Sequence, residues 1–138
     1  MGNTRAVRLD WMGEGFRFCG GGTDPETPAV ELDGDGATGP SPTLALLMAA
    51  AGCAGADVVA ILSKMKVRLD TCAVDVSGIR REGHPKRYAS LKFVFRLSGD
   101  GLDRAKAERA VGLSLEKYCS VVHSLARDIT IEHEIELT

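Results

Sequence analysis

The chain has 138 residues, the length of one ordinary domain and too short for two. Seventeen Lys and Arg against nineteen Asp and Glu leave a net charge of −2, with 44% hydrophobic residues. That balance excludes a disordered chain and argues against a dedicated nucleic-acid binder.

Aromatic residues are only 5% of the chain, so the core must be aliphatic and Ala-rich. No uninterrupted apolar run reaches about 18 residues, so no membrane span is expected. Arg5, Arg8 and Asp10 interrupt the first ten residues, which therefore lack the apolar core of a secretion signal. A cytoplasmic protein with reduced thiols is the expectation.

Residues 4–11 read as a short strand ending near Gly13, and Phe16–Cys19 as a second that stops at Gly20-Gly21-Gly22. Residues 23–28 are turn-rich, and Ala29–Asp33 is a third strand. Eight of the sixteen glycines fall between Gly13 and Gly39, which marks this part as short strands joined by tight turns. The triple glycine lacks the Lys-Ser/Thr of a phosphate loop. Asp33-Gly34-Asp35-Gly36 lacks the later ligands of a calcium loop, so both segments are read as turns.

Ser41-Pro42 opens a helix: Ser caps it, and Pro occupies the first helical position, where no N–H is needed. From Leu44 to Ala56 no side chain is charged, and Lys64 and Lys66 stand at the expected C-terminal end. A helix apolar nearly all round must be buried on most sides. One small domain cannot cover it, so burial against a partner chain is expected. Val67–Ile79 and Tyr88–Leu97 read as strands around a polar loop, the second presenting Leu91, Phe93, Phe95 and Leu97 on one face. Asp103 caps a second helix running to about Tyr118, whose inner stripe is Ala107, Ala110, Val111, Ser114 and Leu115. Residues 121–126 form a short helical turn. Ile129–Leu137 alternates as a strand with one wet face. The order β-β-β-α-β-β-α-β describes one α+β domain over residues 1–138, with antiparallel sheets around a buried central helix.

None of the four cysteines, Cys19, Cys53, Cys72 and Cys119, lies within three residues of another, so there is no CxxC redox or zinc motif. Cys19 and Cys72 read as small apolar strand residues. Cys53 sits among Ala and Gly on the apolar helix, with Asp57 one turn later on the same face. Cys119 stands where a new helix begins, a position that lowers a thiol pKa, and His123 follows four residues later. Asp57 and His123 are candidate auxiliary groups. Neither a metal nor an organic cofactor is expected.

The segment Ser41-Pro-Thr-Leu-Ala-Leu-Leu-Met-Ala-Ala-Ala-Gly-Cys53 resembles the first cysteine motif of the OsmC/Ohr family, the osmotically induced and organic-hydroperoxide-resistance proteins. Lys117-Tyr-Cys119-Ser-Val resembles the second, and the likeness is closest to the YhfA-like branch. The resemblance implies an intertwined homodimer with two active sites at its interface. It implies that Cys53 attacks a hydroperoxide and that Cys119 resolves the product as a disulfide. A lipoyl-type or small dithiol would then reduce that disulfide. Peroxidase members also carry an Arg from the N-terminal sheet, for which Arg17 is the candidate, and a Glu near the start of the central helix. Pro42-Thr43-Leu44 has no such Glu. Two functions follow as expectations: a thiol-dependent organic hydroperoxide reductase, or a non-catalytic module binding a small apolar or thiol ligand in the same pocket.

Overall fold

The computed structural model describes residues 3–138, which form two compact units, one ending at Leu46 and the other running from Leu47 to Thr138. In the first unit, β1 (Val7–Trp11), β2 (Arg17–Gly22) and β3 (Val30–Asp33) make an antiparallel sheet in that order. The triple glycine does not end β2 but completes it, with Gly20 opposite Leu9 and Gly22 opposite Val7. A Cβ on Gly20 would lie 1.9 Å from the Arg8 carbonyl oxygen, so only glycine permits the pairing. The register also gives this sheet one apolar face. Trp11 stands opposite Phe18, and Phe18 opposite Leu32. Val7 and Trp11 remain 74% and 58% exposed.

Beyond β3, the buried Asp33 carboxylate organises the following turn. It accepts from the backbone N–H groups of Asp35, Ala37 and Thr38 at 2.9–3.1 Å. Those donors hold its carboxyl below the usual carboxylate range. The Asp33-Gly34-Asp35-Gly36 segment is thus a turn closed on its own carboxylate.

Helix α1 (Pro42–Lys64) begins as expected, with the Leu44 N–H donating to Ser41 Oγ at 3.3 Å. It ends with Lys66 at φ 64°, where the Lys66 and Val67 N–H groups cap the carbonyls of Ser63 and Leu62 at 3.0 Å. Within one chain α1 is buried on a single stripe: Leu47, Ala50, Ala54, Val58 and Leu62. One chain leaves the other faces of the helix uncovered, as expected of a single small domain: Leu44, Leu46, Met48 and Val59 are 40–57% exposed. By length and composition alone α1 could cross a membrane. Its buried stripe instead joins the core of the second unit.

That unit holds β4 (Arg68–Arg80), β5 (Tyr88–Asp100) and β6 (Thr130–Leu137), with β5 in the middle. Leu91, Phe93, Phe95 and Leu97 of β5 are buried on one face, as their alternation predicts. Asp70 is an extra residue in β4 between Leu69 and Thr71, a bulge that turns both Leu69 and Cys72 toward the core. The pairing of β5 with β6 is parallel, not antiparallel. The intervening chain crosses over through helices, the long connection that a parallel pair needs. The helices are α2 (Arg104–Leu113), a π-helical turn at Ser114–Tyr118, and α3 (Ser120–His123). Asp103 caps α2 by accepting from the Lys106 N–H at 2.8 Å. All five residues of its expected inner stripe are buried.

Candidate active site

Two features carry Cys119 to α1. In the π turn the Cys119 N–H donates to the Ser114 carbonyl, five residues back, at 2.7 Å. Cys119 then leaves the helix in extended conformation, with ψ 100°, before α3 starts. Its side chain is fully buried in the shared core. On α1, Cys53 and Asp57 are one turn apart on the same side. The sulfurs of Cys53 and Cys119 and a carboxylate oxygen of Asp57 all lie within 4.8 Å of one another. Residues 66 apart in sequence thus meet, and Asp57 joins them.

From the sequence, Ser114 is only one residue of a buried stripe. In the structure its hydroxyl donates to Asp57 Oδ2 at 2.9 Å and approaches the Ala54 carbonyl at 3.4 Å. A lone hydroxyl in an otherwise aliphatic stripe was the available signal, since a buried donor must find an acceptor.

The expected lowering of the Cys119 thiol is reversed. Burial pushes it up to about 11, and the neighbouring Cys53 sulfur adds to the rise. The Val121 and Val122 N–H groups at the start of α3 favour the thiolate, but less than burial opposes it. His123 is not brought to the thiols. Its backbone N–H donates to the Cys119 carbonyl at 3.0 Å, while its side chain is exposed beside Ile129 and Ile131.

Arg17 belongs to the N-terminal sheet, where Glu31 and Glu14 hold it. Both carboxylates keep the guanidinium above its ordinary value. Glu31 in turn is held below the carboxylate range by Arg17 and the Thr38 hydroxyl. The first turn of α1 has no acidic residue.

Asp57 also borders a cleft of about 490 Å³ between α1 and α2. Ile61, Met65 and Leu113 supply apolar walls, and Lys64 and Arg109 supply positive charge. Such a cleft accepts an apolar body and leads from solvent to the carboxylate beside the thiols.

Residues 33–134 match the family of OsmC-like proteins. Protein YhfA of Escherichia coli K12 is 37% identical over 132 residues, covering 95% of this chain and 96% of its own. An OsmC-like protein from Mycoplasma pneumoniae has a similar fold, with TM-score 0.84 at 14% identity, covering 100% of this chain and 99% of its own. The organic hydroperoxide resistance protein OhrB of Bacillus subtilis superposes with TM-score 0.62 at 18% identity, covering 99% and 98% respectively. At such identities the two structures speak for the fold alone.

Proposed function

Because the chain belongs to the OsmC-like protein family, we propose that it is a thiol-dependent organic hydroperoxide reductase, working as a cytoplasmic homodimer. One observation carries this reading: the sulfurs of Cys53 and Cys119 are within 4.8 Å although 66 residues separate them. OhrB, which has the same fold, is named for resistance to organic hydroperoxides.

The Cys53 thiolate attacks the terminal peroxide oxygen. The O–O bond breaks, the alkoxide takes a proton and leaves as an alcohol, and Cys53 becomes a sulfenic acid. Cys119 attacks that sulfur, its proton leaves with the hydroxyl as water, and a disulfide forms. A lipoyl-type dithiol then gives two electrons and two protons to restore both thiols and becomes a cyclic disulfide itself. The roles follow from environment. A fully buried thiol raised to about 11 is almost entirely protonated at neutral pH, which suits a resolving group rather than the first nucleophile. Arg17 is the candidate for orienting the peroxide, by resemblance to the family. The homodimer covers the exposed apolar faces of α1 and of the N-terminal sheet, and its interface is of order 2,000 Å².

Cumene hydroperoxide consumption with dihydrolipoamide tests the activity. Wild type turns over and Cys53→Ser does not. In Cys119→Ser, a dimedone-reactive sulfenic acid accumulates on Cys53. Labelling of Cys119 in the converse variant, Cys53→Ser, with none on Cys53 in Cys119→Ser, reverses the roles. The absence of an acidic residue from the first turn of α1 favours a second reading, a module that binds an apolar or thiol ligand without turnover. Equal, slow peroxide loss in wild type and Cys53→Ser selects that reading. Sedimentation at micromolar concentration tests the dimer, and a monomer there rejects it.

A further inference from the structure

The peroxide cycle uses two sulfurs and leaves the third member of the cluster without a task. Asp57 offers a carboxylate oxygen within 4.8 Å of both Cys53 and Cys119 sulfurs. The carboxylate is held in place, because Ser114 Oγ donates to Asp57 Oδ2 at 2.9 Å. A carboxylate oriented by one hydrogen bond and lying beside two sulfurs has the arrangement of a ligand fixed by an outer partner.

We propose that the reduced protein binds a divalent zinc ion through Cys53, Cys119 and Asp57, with a fourth position open to solvent. The donor set decides the metal. Thiolates select zinc over magnesium and calcium, which take oxygen ligands, and two sulfurs with one carboxylate oxygen suit a four-coordinate zinc. Zinc–sulfur bonds of about 2.3 Å and zinc–oxygen bonds of about 2.1 Å place tetrahedral donors roughly 3.5–3.8 Å apart. The observed spread of at most 4.8 Å closes to that by about 1 Å of side-chain movement.

The chain supplies further support. Cys53 and Asp57 are half-buried and provide the approach, while Cys119 forms the closed inner wall.

Binding converts two thiols and one cation into two metal thiolates and two released protons. No electrons move. Disulfide formation consumes both sulfur ligands, so zinc occupancy and peroxide turnover exclude one another. This last consequence rests on the peroxidase reading, whereas the binding does not.

Anaerobic titration of the reduced full-length chain with Co²⁺ tests the site. The expected result is thiolate-to-cobalt charge-transfer absorption with intense visible bands of a tetrahedral centre, saturating at one ion per chain and abolished by Zn²⁺. Cys53→Ser and Cys119→Ser lose charge-transfer intensity. Asp57→Asn retains that absorption and weakens cobalt affinity by about tenfold or more, and Asp57→Glu restores part of it. Variant melting curves establish that each chain is folded. Absence of the charge-transfer band from fully reduced wild type overturns the proposal. So does a band unchanged in Cys53→Ser, which assigns it to other thiols, or a cobalt affinity unchanged in folded Asp57→Asn. The same samples, metal-free, are assayed with hydroperoxide. Cobalt binding without turnover rejects the peroxidase reading and keeps the zinc site, and turnover without the band does the reverse.

Discussion

Arg17 is gripped by Glu31 through both sides of its guanidinium fork, with Nε and Nη2 each 3.3 Å from a different carboxylate oxygen. Such a two-point contact fixes direction as well as charge. The sequence offers no helix-start carboxylate to do this, and an unpaired Arg would spread over many rotamers. The sheet provides the carboxylate instead, across the β2–β3 pair.

On the proposed peroxidase reading, in which Arg17 orients the peroxide, Glu31→Gln lowers the rate of sulfenic acid formation by roughly tenfold, since a poorly oriented cation stabilises the transition state less. Introducing a carboxylate on the helix, as Leu44→Glu, changes that rate by less than about threefold, because Arg17 is already held. Single-turnover stopped-flow with cumene hydroperoxide measures both. A large gain in Leu44→Glu would show that Glu31 does not orient the active cation.

In the proposed peroxidase cycle the buried thiol of Cys119 gives the second step its own pH dependence. Disulfide closure needs the Cys119 thiolate, so its rate rises by about tenfold per pH unit from pH 7 toward about 11. Stopped-flow decay of the sulfenic acid at pH 7, 8 and 9 reads this directly, and a flat profile would contradict it. Stability moves the opposite way. A thiol raised in the folded state contributes fully below its unfolded value of 9.0, and that contribution is lost as pH rises toward about 11. Urea midpoints of the reduced protein should therefore fall over that interval, and Cys119→Ala should flatten the fall.

Lys66 caps α1 in the left-handed region at φ 64°, a conformation that a side chain resists and glycine accepts. Val67 and Leu62, which close the cap, are both in the core, so the turn is held by packing. Lys66→Gly stabilises the protein by about 0.5–1 kcal/mol, a shift of roughly 3 °C in melting temperature. A lower melting temperature would mean that the lysine side chain contributes more than its backbone costs.

Asp33 carries an acid-sensitive turn. Its carboxyl is held below its unfolded value of 3.8, so its contribution is present above that value and is lost as pH falls through the lower, folded value. Asp33→Ala strands three backbone donors and lowers the thermal midpoint by several degrees at neutral pH. Asp33→Asn, which keeps one acceptor oxygen, lowers it less. Melts at pH 7 and pH 3 test both statements: the difference between wild type and Asp33→Ala narrows at the lower pH.

Element types were legible wherever local chemistry decides them. Ser41-Pro42 starts α1, and the Ala107–Leu115 stripe is buried residue for residue. The parallel pairing of β6 was not legible, since alternation records which face is wet and not which way a strand runs. Nor was the extension of β2 through Gly20–Gly22, where a turn signal marks close approach of two backbones instead. At the candidate site, spacing and resemblance identify Cys53 and Cys119. The role of Asp57 depends on Ser114, far along the chain, and the Cys119 thiol depends on total burial, which a position at a helix start does not reveal.

The π turn at Ser114–Tyr118 takes up one residue of chain length without redirecting the chain that follows. It holds one residue more than an α-helical ladder would need, and each residue of an α-helix turns the next by about 100°. Deleting the exposed Glu116 would let the ladder close in ordinary α register while sparing every residue of the Cys53, Asp57 and Cys119 cluster. The Cys119 N–H would then reach the same Ser114 carbonyl from four residues away instead of five, so the sulfur keeps nearly its present direction and a maleimide probe finds it still concealed. The aim of this cysteine thus rests on which carbonyl its N–H reaches, and not on the number of residues between them.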